Sequence, residues 1–241
     1  MKESVKVYRN LRPKKGVKLA FGDKPVFSVQ NSKGRVYDWV TEISLMNPVF
    51  RVSKKGNERV RKEGRKNVHV VGNTVLDNLL DVETTETNRV IVTLHRREKH
   101  DEIEDWFLAV NQLAARYNDL EFVLPIHPNP AVKKHQHLLS NVTVVDPMEH
   151  DQFISELAAC KYIITDSGGV QEEAAFLKKP CIVCRDFTER VEGLGTFSVL
   201  CASPKELFGL VDWATGINLS YKQCPYGDGK SSQYICDLLN N

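Results

Sequence analysis

The chain has 241 residues and a formal net charge of +2, with 41% hydrophobic and 27% charged residues. That length accommodates one large domain or two small ones, and the composition argues against global disorder. No apolar run reaches the roughly 18 residues of a membrane span, and the start MKESVKVYRNLRPKKG lacks the apolar stretch of a secretory signal, so a soluble, cytoplasmic protein is expected.

The net charge hides an asymmetry. Residues 1–66 carry 18 Lys and Arg against 6 Asp and Glu, whereas residues 67–241 carry 15 against 25. A solvated basic face packed on the acidic remainder is the favoured reading, ahead of an interface to another chain and ahead of a nucleic-acid site. Residues 1–34 are Lys-rich and broken by Pro13, Gly16, Gly22, Pro25 and Gly34. Residues 35–47 mix helix and loop character, and SKKGNERVRKEGRK (53–66) reads as a short charged helix with turns. The text changes at residue 68, which divides the chain into a basic segment, 1–67, and an α/β unit, 68–241.

VHVV (68–71) is a β-branched apolar run ending at Gly72. Behind the N-cap candidates Asn73 and Thr74, Val75, Leu76, Leu79 and Leu80 fall at helical spacing. RVIVTLH (89–95) reads as a buried strand. Residues 101–117 place Ile103, Trp106, Phe107, Val110 and Leu113 on one helical face. EFVLPIH (121–127) and VTVVDP (142–147) are strands, and HDQFISELAAC (150–160) is a helix. YIITDSGG (162–169) is a strand running into a glycine turn, VQEEAAFLKK (170–179) a helix and PCIVC (180–184) a strand. Residues 203–215 and 230–239 look helical. Alternating strands and helices, with strands apolar on both faces, argue for a doubly wound, Rossmann-like parallel sheet covered by helices. In such sheets ligands bind at the carboxyl ends of strands, which directs attention to His95, His127, Asp146, residues 165–169 and Arg185–Arg190.

The six cysteines show one C-x-x-C, Cys181 and Cys184, inside an apolar run. No second pair has zinc spacing and no disulfide framework is visible, so they read as core residues of a reducing compartment. No His pair or acidic cluster supports a metal, and no cofactor is expected.

The strongest local signal is TDSGGVQEE (165–173). Ser167, Gly168 and Gly169 would offer backbone N–H groups at a helix start, where orphan amides and the helix dipole both favour an anion. The alternative is a turn that only caps a helix. The segment is neither a Walker loop nor G-x-G-x-x-G. Glu172 and Glu173, placed at the start of that helix, read as dipole partners or as a carboxylate for ribose hydroxyls. RDFTER (185–190) reads either as surface salt bridges or as an arginine facing a diphosphate. TLHRRE (93–98) sets His95 beside arginines, and PIHPNP (125–130) sets His127 in a stiff loop.

Together GNTVLDNLL (72–80), VTLHRRE (92–98), PIHPNPAV (125–132), TDSGGVQEEAAFLKKP (165–180), RDFTERVE (185–192) and PYGDGKSSQYICDLL (225–239) resemble the non-hydrolysing UDP-N-acetylglucosamine 2-epimerases. The resemblance covers residues 68–241 and extends weakly back to Arg35. It implies the C-terminal half of a glycosyltransferase-B fold, with UDP-sugar in a cleft between two Rossmann-like domains. It also implies an isomerase that interconverts UDP-GlcNAc and UDP-ManNAc by eliminating and re-adding UDP. Carried over by position, Ser167, Gly168 and Gly169 would hold the diphosphate, Glu173 the ribose and Arg190 the phosphates. Phe153 and its loop would border the uracil. His95 would reach the diphosphate or sugar, and His127 would lie near a second, activating UDP-sugar.

The sequence departs from the family in two places. Val191 stands where proline usually follows T-E-R. Residues 1–67 match neither the family's basic phosphate loop nor its acid/base carboxylates, for which Asp38 and Glu42 are candidates by position only. Two further readings therefore stand beside the enzyme: a UDP-sugar-binding module without catalysis, and one half of a split epimerase whose N-terminal domain is another chain. A homodimer is a further expectation, and a glycosyltransferase on the same architecture is the more distant alternative.

Overall fold

A computed structural model describes residues 49–51, 68–96 and 101–240. Expectations for the basic segment, including Asp38, Glu42 and the helix at 53–66, lie outside these residues, as do Arg97 and Glu98 of the TLHRRE stretch. Strands β1 (Val49–Arg51) and β2 (Val68–Val70) form a separate two-stranded parallel pair.

The main sheet has six parallel strands: β3 (Arg89–Thr93), β4 (Glu121–Pro125), β5 (Thr143–Val145), β6 (Tyr162–Thr165), β7 (Cys181–Val183) and β8 (Ser198–Leu200). Their order is β5-β4-β3-β6-β7-β8. The chain runs outward from β3 to β5, returns to place β6 on the other side of β3, and continues outward to β8. The winding therefore reverses between β3 and β6, which is where a doubly wound sheet opens a crevice at its carboxyl end.

The period of two along each strand builds two cores. Val90, Val92, Tyr162, Ile164 and Ile182 face one side, under α1 (Ile103–Arg116) and α5 (Leu207–Gly216). Ile91, Ile163, Cys181 and Val183 face the other, under α3 (His150–Ala159) and α4 (Gly168–Phe176). On α1 the buried positions Ile103, Trp106, Phe107, Val110 and Leu113 repeat at helical spacing, with Glu104 and Asp105 in the first turn and Arg116 in the last, as the dipole favours. Each large side chain buried this way contributes about 1.5–3 kcal/mol. The short α2 (Pro130–Lys133) and the C-terminal α6 (Ser231–Asn240) complete the helices. Among the described residues no helix is long and apolar enough to cross a membrane.

Several boundaries differ from the sequence reading, each for a local reason. Residues Thr74–Leu79 form a 3-10 helix rather than an α-helix. The buried pair Leu76 and Leu79 is three apart, the spacing that eclipses in a 3-10 turn, and Asp77 is turned to cap α6 by accepting from the Ser231 and Ser232 N–H groups. Helix α4 starts at Gly168, not 170, and stops at Phe176 because Lys178 takes φ 60°. There the Lys179 N–H returns to the Ala174 carbonyl and the Lys178 N–H to Ala175, the Schellman pattern with lysine in the usual glycine position. Of the cysteines expected in the core, Cys160, Cys181, Cys184 and Cys201 are buried. Cys224 is only half-buried and Cys236, on α6, is exposed.

Candidate functional site

The crevice is assembled from the ends of β3, β6 and β7. Thr93 and Thr165 are register partners on β3 and β6, and their hydroxyls meet at 2.6 Å. Thr165 Oγ1 also accepts the Ser167 N–H at 3.0 Å, which bends the chain as it leaves the strand. Between them Asp166 is buried, 1% exposed. Its Oδ2 accepts the N–H groups of His95 and Arg96, each at 2.7 Å, and its Oδ1 lies 3.3 Å from His95 Nδ1. One carboxylate thus joins the two strand ends that flank the switch point.

Ser167 is the N-cap residue of α4 in extended geometry, and its side chain makes no capping hydrogen bond. The amides of the first turn are therefore not closed off by their own cap. A Cβ at Gly168 would lie 3.1 Å from Glu189 Oε1, 3.7 Å from Arg96 Nη2 and 3.8 Å from Arg190 Cζ. A Cβ at Gly169 would meet nothing within 4 Å. The helix start is thus walled by charged groups at Gly168 and open at Gly169.

The RDFTER loop supplies that wall. Arg185 is buried, donates to Glu189 Oε2 at 2.8 Å and lies over the exposed Phe187 ring at 5.4 Å. Glu189 Oε1 lies 3.6 Å from Arg190 Nη1 and 3.8 Å from Arg96 Nη2. Burial opposes ionisation of Glu189, but hydrogen bonds from its own backbone and from Arg185, with Arg190 nearby, hold its carboxyl below the usual range. Thr188 Oγ1 donates to Gln171 Oε1 and accepts the Arg190 N–H, pinning the loop to α4. Arg190 Nε lies 2.5 Å from Glu172 Oε1, and Asn73 Nδ2 donates to Glu172 Oε2 at 2.5 Å. The ion pairs expected of a surface loop are therefore partly buried.

Glu172 and Glu173 fall in the second turn of α4, not at its start, because the helix begins two residues earlier than the sequence suggested. That removes the dipole-partner reading, since the first turn carries no acidic residue. Both are buried. Burial pushes the Glu172 carboxyl up to about 7 against the pull of Arg190 and Asn73. Burial likewise raises Glu173, with His150 at the start of α3 pulling it back.

The remaining singled-out residues lie around this centre. His127, past the end of β4, stacks on His95 with ring centroids 5.1 Å apart and planes within 3°. Phe153 lies within α3 rather than in a loop, half-buried against the core beneath the α3–α4 face. His95, Ser167, Gly168 and Arg190 are brought together at the switch point, with His127 against His95. Glu173 faces the start of α3, the helix that carries Phe153. Asn73, read as an N-cap and found capping Thr74–Leu79, also reaches the cluster, as do Asp166, Arg96, Glu189 and Tyr226, which have no individual role in the sequence reading. Their one visible signal was polarity at strand and turn ends inside otherwise apolar text. Chemically, three guanidinium groups and a free helix start can hold a bulky anion and stabilise charge on a departing phosphate.

The chain and its sheet have known relatives. A family model described as UDP-N-acetylglucosamine 2-epimerase matches residues 40–240. The UDP-N-acetylglucosamine 2-epimerase of Bacillus subtilis is 33% identical over 216 residues, which cover 79% of this chain and 57% of that protein. The structure of the Neisseria meningitidis UDP-GlcNAc 2-epimerase bound to UDP-GlcNAc superposes with a TM-score of 0.68 at 29% identity, over 83% of this chain and 63% of that one. The Methanocaldococcus jannaschii enzyme in complex with UDP-GlcNAc and UDP gives 0.65 at 25% identity, over 80% and 60%. The chain thus spans less than two thirds of the length of these relatives. With its family model matched over most of its length and its sheet superposing on theirs, the chain belongs to the UDP-N-acetylglucosamine 2-epimerase family.

Proposed function

We propose that this chain binds a UDP-sugar in the crevice between β3 and β6 and takes part in interconverting UDP-GlcNAc and UDP-ManNAc. The observation that carries this reading is the open start of α4 at Gly169 with the Arg190 guanidinium beside it. Ser167, Gly168 and Gly169 would give main-chain N–H groups to the diphosphate and Arg190 would neutralise it. Glu173 would accept from the ribose hydroxyls, and Phe153 would border the uracil. His95 would donate to the diphosphate or sugar, and His127 would lie toward a second nucleotide-sugar.

In the reaction a base takes the C2 proton, the C1–oxygen bond breaks and UDP leaves with the bonding pair, giving a glycal. UDP then adds back at C1 while a proton is delivered to the opposite face of C2. The α4 amides and Arg190 stabilise the charge that gathers on UDP, which is the part of this chemistry the described residues can perform. The acid/base carboxylates would come from the N-terminal domain. We assign residues 68–241 to the UDP-binding unit and residues 1–67 to the basic segment that leads into it from the N-terminal domain.

A second reading is that the chain binds UDP-sugar without completing the reaction by itself, as a binding module or as one half of a split epimerase. Incubation with UDP-GlcNAc in deuterated water, followed for C2 deuteration and UDP-ManNAc, together with UDP calorimetry, separates these. Turnover supports the complete reaction. Binding without turnover supports the second reading, and absence of binding refutes the site.

A further inference from the structure

Helix α4 is buried almost all round: Gly168 and Val170–Ala175 are all buried. A carboxylate in such a helix costs several kcal/mol unless both of its oxygens are satisfied. Glu172 is met at both oxygens by distant parts of the chain, by an ion pair with Arg190 Nε at one and a hydrogen bond from Asn73 Nδ2 at the other. Neither partner can act as an acceptor here. A guanidinium has only donors, and the Asn73 amide is fixed in orientation because its Oδ1 accepts the Val75 N–H at 3.1 Å. Only an ionised carboxylate satisfies both. A glutamine, or a protonated glutamic acid, must set a donor against a donor.

The contact with Arg190 is an ion pair to one edge of the guanidinium. Glu172 takes the guanidinium by Nε, so the Nη edge is left for other partners, and Nη1 lies 3.6 Å from Glu189. The guanidinium carbon lies 3.8 Å from the position of a Cβ on Gly168, beside the first turn of α4. The main chain of Arg190 is held separately, its N–H by Thr188 and its carbonyl by the Tyr226 hydroxyl. Backbone anchors set where the residue stands, and two carboxylates bear on where its charged fork points, Glu172 at 2.5 Å from Nε and Glu189 at the longer 3.6 Å from Nη1.

We infer that Glu172 is a positioning residue for anion recognition: by holding Arg190 through Nε it presents the Nη edge to a diphosphate at the start of α4. This rests on the UDP reading of the crevice and adds to it a residue that need not touch the nucleotide. A side chain that only stapled the fold would affect every ligand of the crevice equally. One that orients Arg190 affects only ligands bearing phosphates.

The test is a double-mutant cycle on the full chain, with UDP and uridine affinities measured for the wild type, Glu172→Gln, Arg190→Ala and the double variant. The expected result is a loss of about tenfold or more for UDP in Glu172→Gln, the weight of one charge-assisted contact. Uridine affinity stays unchanged, and the double variant is no weaker for UDP than Arg190→Ala alone. Glu172→Asp keeps the charge at shorter reach and serves where the glutamine chain fails to fold, with a smaller UDP loss and none for uridine. Equal losses for UDP and uridine, additive effects in the cycle, or no loss would each overturn the inference while leaving the site reading in place. Failure of the wild type to bind UDP would overturn the site reading and this inference with it.

Discussion

Asp166 accepts the backbone N–H of His95 at 2.7 Å and faces the same residue's Nδ1 at 3.3 Å, although 71 residues separate the two in sequence. Its other amide partner is Arg96. The carboxylate therefore joins β3 to β6, and a proton on His95 Nδ1 is the tautomer that its charge would favour. Asp166→Ala leaves two N–H groups without their acceptor at the crevice and should cost about 3 kcal/mol in urea unfolding with an unchanged m-value. Asp166→Asn should cost only about 1–2 kcal/mol, since its amide oxygen can still accept both N–H groups. Its NH₂ then faces Nδ1 and forces the proton to Nε2. Nitrogen-15 spectra of His95 should show that exchange of tautomer, and a spectrum identical to wild type would refute the orientation given to Asp166.

The two glycines of the turn make a contrast between stability and binding. Gly169 is exposed and a Cβ there meets nothing within 4 Å, so Gly169→Ala should fold as well as wild type, with a gain of up to about 1 kcal/mol from helix propensity. The added methyl would stand where a diphosphate must approach the amides, and UDP affinity should fall on the order of tenfold. Calorimetry and thermal melting on the same sample check both halves. Unchanged UDP binding would place the nucleotide away from this turn.

Much of the sheet was legible because its strands announce themselves. Val90–Val92, Phe122–Leu124 and Ile163–Ile164 are apolar on both faces, as strands covered by helices must be, and the glycine turn after Thr165 marks a strand end by composition alone. The links that give the crevice its electrostatics were not legible. Asn73 meets Glu172 across 99 residues, and Tyr226 meets Arg190 across 36. No periodicity encodes such contacts, since they follow from the winding order that sets the loop after β2, helix α4 and the C-terminal turn side by side. The poor helix propensity of glycine hides the first two residues of α4 from a pattern reading. Strand β8 escaped notice because Ser198–Leu200 is short and lacks a turn signal of its own.

Glu172 gives stability and binding opposite dependences on pH. In the unfolded chain it ionises near 4.5, and burial raises that to about 7 in the fold. Between these values the folded state holds the proton more tightly, so this contribution is fully present below about pH 4.5 and is lost as pH rises through 7, to a total of about 3 kcal/mol. Glu173 shifts in the same direction, and Arg190, Asn73, Glu192, Cys224 and Tyr226 complete the polar surroundings. Glu172→Gln resembles the protonated acid and lacks this slope. Its stability should be flat over this range, offset by a constant penalty for setting an amide N–H against a donor, so the gap between the two proteins should shift in its favour by about 3 kcal/mol from pH 4.5 to pH 8. UDP affinity should run the other way, rising with pH as Glu172 ionises and grips Arg190. Parallel pH profiles for the two proteins in urea unfolding would rule out this assignment.

The Tyr226 hydroxyl is buried and works at both ends: it accepts the Gly193 N–H at 3.0 Å and donates to the Arg190 carbonyl at 2.9 Å. The contact is tight enough that a Cβ at Gly193 would lie 2.6 Å from that oxygen. Tyr226→Phe keeps the ring and removes both hydrogen bonds, leaving the buried Gly193 N–H only its longer bond of 3.4 Å to the Arg190 carbonyl, at a cost of about 1–3 kcal/mol. For a chain of this size that lowers the melting temperature by about 2–4 °C per kcal/mol. Tyr234 provides the contrast, because its hydroxyl donates to Asp228 in an exposed setting and its ring is 40% exposed. Tyr234→Phe should change stability by less than about 0.5 kcal/mol. With the Tyr226 hydroxyl gone, the main chain of Arg190 loses one of the two side-chain groups that hold it. UDP affinity should then fall in Tyr226→Phe and hold in Tyr234→Phe. Equal affinities in the two variants would mean that the C-terminal turn stabilises the fold without supporting the crevice.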